Sequence, residues 1–148
     1  MPAMARVKLD LSGVEFVFRT DLDVRITDIN YGRHVGNDAM LGLLHEARLR
    51  FLAHFGFSEE DIGGVGMLMG DAVVQFKAVA FRGDRLTVEL GLKDVERRTY
   101  DLIYRVTRQG DGAVVALAKT GMVAFDYARN RPAELPAVFL EKTGAQPA

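Results

Sequence analysis

One long helical pattern, followed by segments in which apolar residues alternate, most constrains how this chain can fold. Between residues 38 and 55, apolar side chains recur every three or four positions and fall on one broad stripe at 100° per residue. The stripe consists of Met40, Leu43, Leu44, Ala47, Phe51 and Phe55. This spacing predicts a helix over residues 38–55, with Asn37 or Asp38 as N-cap and Gly56 as the left-handed residue beyond its end.

The segments around this helix have the composition and period of β-strands. Residues 14–27 are rich in β-branched and aromatic side chains and predict a long, irregular first strand. Residues 73–81, 86–93, 100–107 and 114–125 predict four more strands, with a hairpin turn at 109–112. Residues 131–136 are expected to end the regular structure. This order predicts an α+β fold in which a five-stranded antiparallel sheet covers one lengthwise helix.

Length and composition indicate one globular domain over residues 1–148, with a core at about 14–136. Apolar residues make up 49% of the 148 positions and charged residues 26%, which excludes a disordered chain. The net charge of −1 gives no long-range attraction to nucleic acid or to anionic membranes. Neither a signal peptide nor a membrane-spanning run is present in the sequence. We therefore expect a cytoplasmic protein without nucleic-acid or membrane partners.

Several kinds of catalytic chemistry are excluded by the residues present. Cysteine is absent, and the two serines, Ser12 and Ser58, are not in a G-x-S-x-G motif, so a Ser or Cys nucleophile is not expected. Residues 45–48 begin like the zinc motif H-E-x-x-H, but Leu49 stands where the second ligand belongs. We expect neither a metal nor a cofactor. The glycine-rich residues 64–70 lack a nucleotide-binding spacing and are interpreted as a flexible connection into a strand.

A polar cluster lies where the predicted first strand gives way to the helix. Its members are Asp28, Asn30, His34, Asn37 and Asp38. In extended backbone Asp28 and Asn30 project to the same side, and the helix start adds unpaired N–H groups. A carboxylate, an imidazole and N–H donors together can handle a water molecule and an oxyanion.

The same segment resembles a known family. Residues 24–37 read V-R-I-T-D-I-N-Y-G-R-H-V-G-N, similar to the V-R-x-x-D-x-D-x-x-G-H-V-N-N signature of 4-hydroxybenzoyl-CoA-thioesterase-like hotdog proteins. Residues 46–48 (E-A-R), Phe76, residues 83–84 (G-D) and residues 131–132 (R-P) fit the rest of the family pattern. Three positions depart from it. Asn30 stands where one branch has its catalytic carboxylate, Arg33 replaces a glycine, and Gly36 replaces an asparagine.

The resemblance implies a hotdog fold that hydrolyses a small acyl thioester of CoA or of acyl carrier protein. It also implies a homo-oligomer, a dimer or a tetramer, with each site between subunits. The candidate catalytic residues are Asp28, Asn30 and His34. In this scheme Asp28 takes a proton from water, His34 or Asn30 orients the reacting groups, and N–H groups at the helix start stabilise the oxyanion. The thiol, with a pKa near 8.5, leaves without a strong acid.

The candidate substrate-binding residues are Asn37, Lys77, Arg82, Arg97 and Arg98. The four cations suit the phosphates of CoA, although charges at strand edges are common, and for Asn37 a role as helix cap is favoured over a substrate contact. Glu46 and Arg50 have the spacing of a solvated ion pair. Because Asn30 cannot act as a base, a non-catalytic acyl-CoA binding or sensing protein is the alternative. Acyl chain, carrier and pathway stay open.

Overall fold

The computed structural model describes residues 4–145 and 147, and these form an α+β fold. The strands are β1 (Phe16–Asp23), β2 (Gly66–Phe76), β3 (Arg85–Lys93), β4 (Thr99–Arg108), β5 (Val114–Asp126) and β6 (Arg131–Pro132). The helices are α1 (Asn37–His54) and α2 (Ala137–Thr143), and a 3-10 turn covers Ile26–Asp28. All strand pairs are antiparallel, in the order β1-β3-β4-β5-β2, and the short β6 pairs with β5.

Helix α1 lies against the inner face of this sheet and supplies the centre of the core. Five of the six residues of the predicted stripe are buried, and Phe55 at its end is half-buried. On the sheet, every second residue points to the helix side because the side-chain period of a strand is two. In β4, for example, Tyr100, Leu102, Tyr104 and Val106 are all buried. The alternation predicted from the sequence is therefore the one that fills the core.

The two ends of α1 differ in how well the sequence predicts them. Gly56 has a φ of 85°, which confirms the left-handed residue beyond the helix. The predicted cap of Asn37 or Asp38 is wrong, because the N-cap is Gly36 and no side chain caps the helix. A Cβ at position 36 would lie 2.6 Å from Asp38 Oδ1 and 3.3 Å from Asn30 Cβ. Only glycine leaves room for this close approach.

Four other expectations are corrected by the structure. β1 is shorter than residues 14–27, since the backbone turns after Asp23. β2 begins at Gly66, so most of the glycine-rich segment is strand rather than a flexible connection, and it ends at Phe76 rather than at 81. The sheet has six strands instead of five, because β6 adds to β5.

The fourth correction concerns the C-terminal part of the chain, where regular structure continues beyond Pro136. Helix α2 packs Phe139 against the rings of Tyr100 and Phe57, with centroids 5.2 and 5.4 Å apart. The apolar residues after Pro136 were too few to show a helical period, so this helix depends on its tertiary contacts.

Strands β1 and β2 form the two edges of the sheet, and among the strands described over residues 4–145, β2 pairs only with β5, with one irregularity between Met69 and Asp71. None of the helices described over residues 4–145 is both long enough and apolar enough to span a bilayer.

Candidate active site

The 3-10 turn at the end of β1 holds Asp28 against Arg25. The Asp28 carboxylate accepts hydrogen bonds from the Arg25 backbone N–H at 2.8 Å, from its Nε at 3.3 Å and from its Nη2 at 3.2 Å. The Asp28 side chain is only 6% exposed, whereas the Arg25 side chain is 70% exposed. The hydrogen bond and charge of Asp28 raise the pKa of the Arg25 guanidinium. Asp28 therefore lies beneath a fixed positive charge that faces solvent.

The next residues form a tight loop that returns the chain to the start of α1. An isolated antiparallel bridge joins Ile29 to Val35, and the Asn30 N–H donates to the His34 carbonyl at 2.9 Å. The Asn30 side-chain oxygen accepts the Gly32 N–H at 2.9 Å. Arg33 has a φ of 67°, the left-handed conformation for which a glycine, as in the family signature, is better suited. The loop thus holds Arg33 in a backbone conformation that few residues with a Cβ adopt.

His34 is oriented by the backbone of this loop. Its Nδ1 lies 3.1 Å from the Val35 carbonyl oxygen. Since a carbonyl only accepts, Nδ1 carries the proton and, in the neutral ring, Nε2 is an acceptor. The Val35 N–H donates to the Ala80 carbonyl at 2.8 Å, and the Gly36 N–H donates to the Asp28 carbonyl at 3.0 Å. These two bonds fix the loop between the 3-10 turn and the β2–β3 connection.

A cleft of about 440 Å³ opens between this turn and the exposed side of α1. Its lining comprises Leu22, Asp23, Arg25, Gly42, Leu43, His45, Glu46, Leu49 and Arg50. Three leucines provide apolar surface, and charged groups of both signs stand around it. Such a mixture of apolar walls and a few polar groups is typical of small-molecule sites. Arg25 connects the cleft directly to Asp28.

Gly42 forms an open notch in the middle of α1. A Cβ placed on it would meet no atom within 4 Å, so packing within the protomer does not require a glycine there. A glycine inside a helix costs about 1 kcal/mol relative to alanine. Gly42 lines both this cleft and a second cavity of about 240 Å³, which includes Leu44, Met69 and Thr120. Gly42 therefore lines both cavities on the exposed face of the helix.

A second polar group stands on the α1 side of the cleft. His45 Nε2 lies 3.2 Å from Glu59 Oε1, and Arg48 Nε donates to the same oxygen at 2.8 Å. Arg48 is 8% exposed and also donates through Nη1 to the Tyr104 hydroxyl at 3.1 Å. That hydroxyl is 2.7 Å from Thr120 Oγ1. A chain of hydrogen bonds thus runs from the surface histidine into the core.

Burial raises the pKa of Tyr104, so its hydroxyl keeps its proton and accepts from Arg48 as a neutral group. Burial alone would lower the pKa of Arg48, but the contacts with Tyr104 and Glu59 outweigh it and raise the value. Arg48 is therefore a permanent cation beneath Glu59. This explains how a charged residue is tolerated beside the apolar stripe, and it fixes the carboxylate that His45 contacts.

The structure divides the predicted substrate-binding residues between the two ends of the sheet. Lys77 and Arg82 belong to the β2–β3 connection, which contacts the loop through Ala80. Arg97 and Arg98 follow β3, at the opposite end of a strand roughly 27 Å long. Within one protomer the four cations cannot meet the same phosphate. Asn37 is exposed in the first turn of α1, outside the cleft lining.

Within the described residues, 4–145 and 147, Asp28 reaches the cleft only through Arg25, and Asn30 and His34 are not part of its lining. The ion pair expected between Glu46 and Arg50 is present, with Nε and Oε2 2.9 Å apart.

The sequence did not predict a place in the site for Arg25, Gly42, His45 and Glu59. The i,i+3 spacing of Arg25 and Asp28 was a usable signal, whereas nothing in the sequence connects His45 with Glu59. The same part of the chain holds no cluster of three or more metal-ligating side chains.

Comparisons with known proteins bear on the family and the fold of this chain. Residues 24–143 match the model of the thioesterase-like superfamily. Comparison with curated protein sequences gives no match. Among solved structures, a 1,4-dihydroxy-2-naphthoyl-CoA thioesterase from Synechocystis has a TM-score of 0.78 at 23% identity, covering 86% of this chain and 96% of the other.

Two other solved structures have the same fold. A mutant 4-hydroxybenzoyl-CoA thioesterase, in complex with 4-hydroxybenzoyl-CoA, has a TM-score of 0.76 at 21% identity and covers 85% and 97% of the two chains. A DHNA-CoA thioesterase from Staphylococcus aureus has a TM-score of 0.72 at 18% identity and covers 79% of each. At these identities the likeness concerns the fold. The predicted α+β hotdog fold and the predicted family are confirmed.

Proposed function

The chain belongs to the thioesterase-like superfamily, and on that premise we propose that it hydrolyses an acyl thioester of coenzyme A to a free acid and a thiol. The observation that carries the proposal is the cleft of about 440 Å³ beside the family motif. One wall of this cleft is Arg25, and behind Arg25 lies the Asp28 carboxylate. Apolar surface from three leucines suits an acyl or pantetheine chain next to these charges.

Asp28, Asn30 and His34 are the catalytic residues that we propose. Water adds to the thioester carbonyl while its proton passes to Asp28, and the C–S bond then breaks. Asn30 and His34 orient the reacting groups from the loop that follows Asp28. The Arg25 guanidinium stabilises the oxyanion from inside the cleft, a role given to the helix start in the sequence-based scheme. The helix start does not line this cleft, whereas Arg25 does.

Asp28 can act as a base only when Arg25 moves off its carboxylate. The Arg25 side chain is mostly solvent-exposed and can move to a new acceptor, while the Arg25 backbone N–H, 2.8 Å from the carboxylate, still donates to Asp28. A bound thioester or phosphate gives the guanidinium a new acceptor. Substrate binding would then expose the carboxylate at the moment when a base is needed.

We also propose that two copies of the chain complete the site. The β2 edge is open along eleven residues, and apolar side chains are exposed on α1, on β2 and on the turn. These are Leu41, Leu49, Met69, Ile26 and Tyr31. An open edge beside apolar surface favours self-association. Light scattering is expected to show an even-numbered homo-oligomer, and a stable monomer at micromolar concentration would rule it out.

A panel of short, long and aromatic acyl-CoAs tests the proposed function, with thiol release and binding measured on the same compounds. We expect at least one class to be hydrolysed. Hydrolysis of acyl carrier protein thioesters and of no acyl-CoA would show that the carrier is acyl carrier protein rather than CoA.

The burial of Asp28 beneath Arg25 and the amide at position 30 favour one alternative, a non-catalytic acyl-CoA binding protein. Binding of acyl-CoAs without hydrolysis of any of them would support that alternative. If the protein neither binds nor hydrolyses any of these compounds, both functions are excluded.

A further inference from the structure

His45 is placed where it can reach a ligand in the cleft. Its side chain is half exposed, and it lines the cleft together with Gly42 and Leu49. Its Nε2 is within 3.4 Å of both Glu59 oxygens. A carboxylate only accepts hydrogen bonds, so Nε2 carries a proton and Nδ1 is left for another partner.

Glu59 is held in turn by a group that cannot lose its charge. Arg48 binds it at 2.8 Å and is anchored in the core through Tyr104 and Thr120. A carboxylate fixed in this way orients the imidazole. The arrangement is that of an acid–base histidine with an orienting carboxylate.

We propose that His45 is a further catalytic residue of this site, the acid that protonates the departing sulfur, and that Glu59 is its positioning residue. This inference rests on the proposed function. Water adds to the carbonyl carbon and its proton passes to Asp28. The C–S bond then breaks, its electron pair leaves with sulfur, and the His45 imidazolium gives that sulfur the Nδ1 proton. One proton returned from Asp28 to His45 through solvent restores both groups.

The surroundings of the cleft explain why an acid is useful for a leaving group as weakly basic as a thiolate. A free thiolate would depart into a cleft lined by leucines, by the carboxylates Asp23 and Glu46, and by the cations Arg25 and Arg50. Arg50 is paired with Glu46, and in the proposed step Arg25 stabilises the oxyanion, so the thiolate would leave beside apolar walls without a cation of its own, which is unfavourable. Protonation by His45 releases a neutral thiol instead.

Charged groups face His45 from several elements. Those that share its cavities are Asp23, Arg25, Glu46, Arg48, Arg50, Glu59 and Glu60. Of these, Glu59 is the one in hydrogen-bond contact with the ring. The pH signature expected of His45 is a fall in kcat/KM on the alkaline side, where the imidazolium is lost.

A leaving-group comparison tests the acid role. The same acyl group is offered as a CoA thioester and as a thioester of 5-thio-2-nitrobenzoate, whose more acidic thiol needs no proton to depart. We expect His45→Gln to lose about tenfold or more in kcat/KM with the CoA ester and less than about twofold with the aryl ester. His54→Gln is the matched control, since His54 lies on the same helix, packs against Phe18 and Phe55, and does not line the cleft.

Each other outcome overturns a different statement. Equal losses with both esters would show that His45 is not the acid, and no loss with the CoA ester would show that it has no part in the reaction. A wild-type protein inactive on both esters would overturn the proposed function itself.

Glu59→Gln tests whether Glu59 acts through His45 or has only a structural role. The amide keeps a hydrogen-bond acceptor but supplies no negative charge to the imidazolium. We expect the alkaline fall of kcat/KM to begin at lower pH in this variant. A reduced rate with an unmoved pH profile would assign Glu59 a structural role only. Circular dichroism and thermal melting check that each variant is folded.

Discussion

Two pairs, each a carboxylate with a basic residue, contribute one member to the lining of the same cleft, Arg25 and His45, and the pairs differ in what their charges can do. Asp28 is buried under Arg25, three residues away in the sequence, and that guanidinium cannot lose its proton in the working range. Glu59 contacts His45, 14 residues away, whose ring has two nitrogens that can each carry or accept a proton. The first pair supplies the permanent charge of Arg25 and a carboxylate, Asp28, that Arg25 covers until substrate binds. The second pair supplies a proton on His45 that can be transferred.

The pairs also differ in how they are anchored. The Arg25–Asp28 pair is held by a single turn and by backbone bonds to Gly36. The His45–Glu59 pair is held from below by Arg48, which reaches Tyr104 in the sheet. A local pair can open when a ligand binds, whereas a pair tied into the core keeps its geometry. This difference suits a base that must be uncovered and an acid that must stay in place.

The largest effect is expected from removing the carboxylate of the first pair. Asp28→Asn should lower kcat by about 10²–10⁴ and leave KM nearly unchanged, since it keeps the size of the side chain but cannot take a proton. Asp38→Asn is the matched control from the adjacent helix start. Full activity in Asp28→Asn, with loss in Asp38→Asn or Glu46→Gln, would move the base to another carboxylate.

The anchoring of the second pair is tested by stability. Arg48→Leu should cost about 2–3 kcal/mol, because it removes a buried cation that is hydrogen-bonded to Glu59 and Tyr104. Arg50→Leu, on the exposed side of the same helix, should cost less than about 1 kcal/mol. Urea denaturation measures both. Equal losses would contradict the difference in anchoring.

Substitution of Gly42 tests whether a ligand uses the open space at this position of α1. Gly42→Ala should stabilise the protein by about 1 kcal/mol and raise Tm by about 2–4 °C. The added methyl group occupies space that Gly42 leaves open beside both cavities, so kcat/KM should fall severalfold. Calorimetry and the thioesterase assay are run on the same preparation. A stabilised variant with undiminished activity would show that the notch is not used.

The smallest effect is expected at Asn30. Asn30→Asp should retain or raise activity, because the new carboxylate can still accept the Gly32 N–H and occupies the family's acidic position. A second negative charge near Asp28 opposes this gain by disfavouring ionisation of both. Steady-state kinetics measure the balance. Activity lost from a folded variant would show that the amide itself is required.

The sequence predicts features that neighbouring residues determine, and it misses features that depend on contacts between distant residues. The period of α1, the left-handed Gly56 and the alternation in β4 depend on neighbouring residues, and these were correct. Helix α2 was missed because its stability comes from Phe139 packing on Tyr100. The cap at Gly36 was missed because it is set by the approach of Asn30 in three dimensions.

The candidate site shows the same limit. Asp28 and Asn30 were placed in extended backbone, but Asp28 belongs to a 3-10 turn, so the period of a strand does not apply to it. His45 was considered only as part of an incomplete zinc motif. Its contact with Glu59 forms because the chain after α1 folds back along the helix, and no spacing rule of a helix or strand predicts that contact.

Nuclear magnetic resonance of the protein bound to a non-hydrolysable thioether analogue of an acyl-CoA tests most directly whether both pairs face one thioester. The chain has three histidines, so the ring nitrogens of His34, His45 and His54 can be followed separately with the Arg25 Nε. We predict saturable shifts of His45 and Arg25 with one common Kd and no shift of His54. Tight binding of the analogue without a shift of the His45 or Arg25 resonances would contradict a reaction in which both side chains contact the thioester.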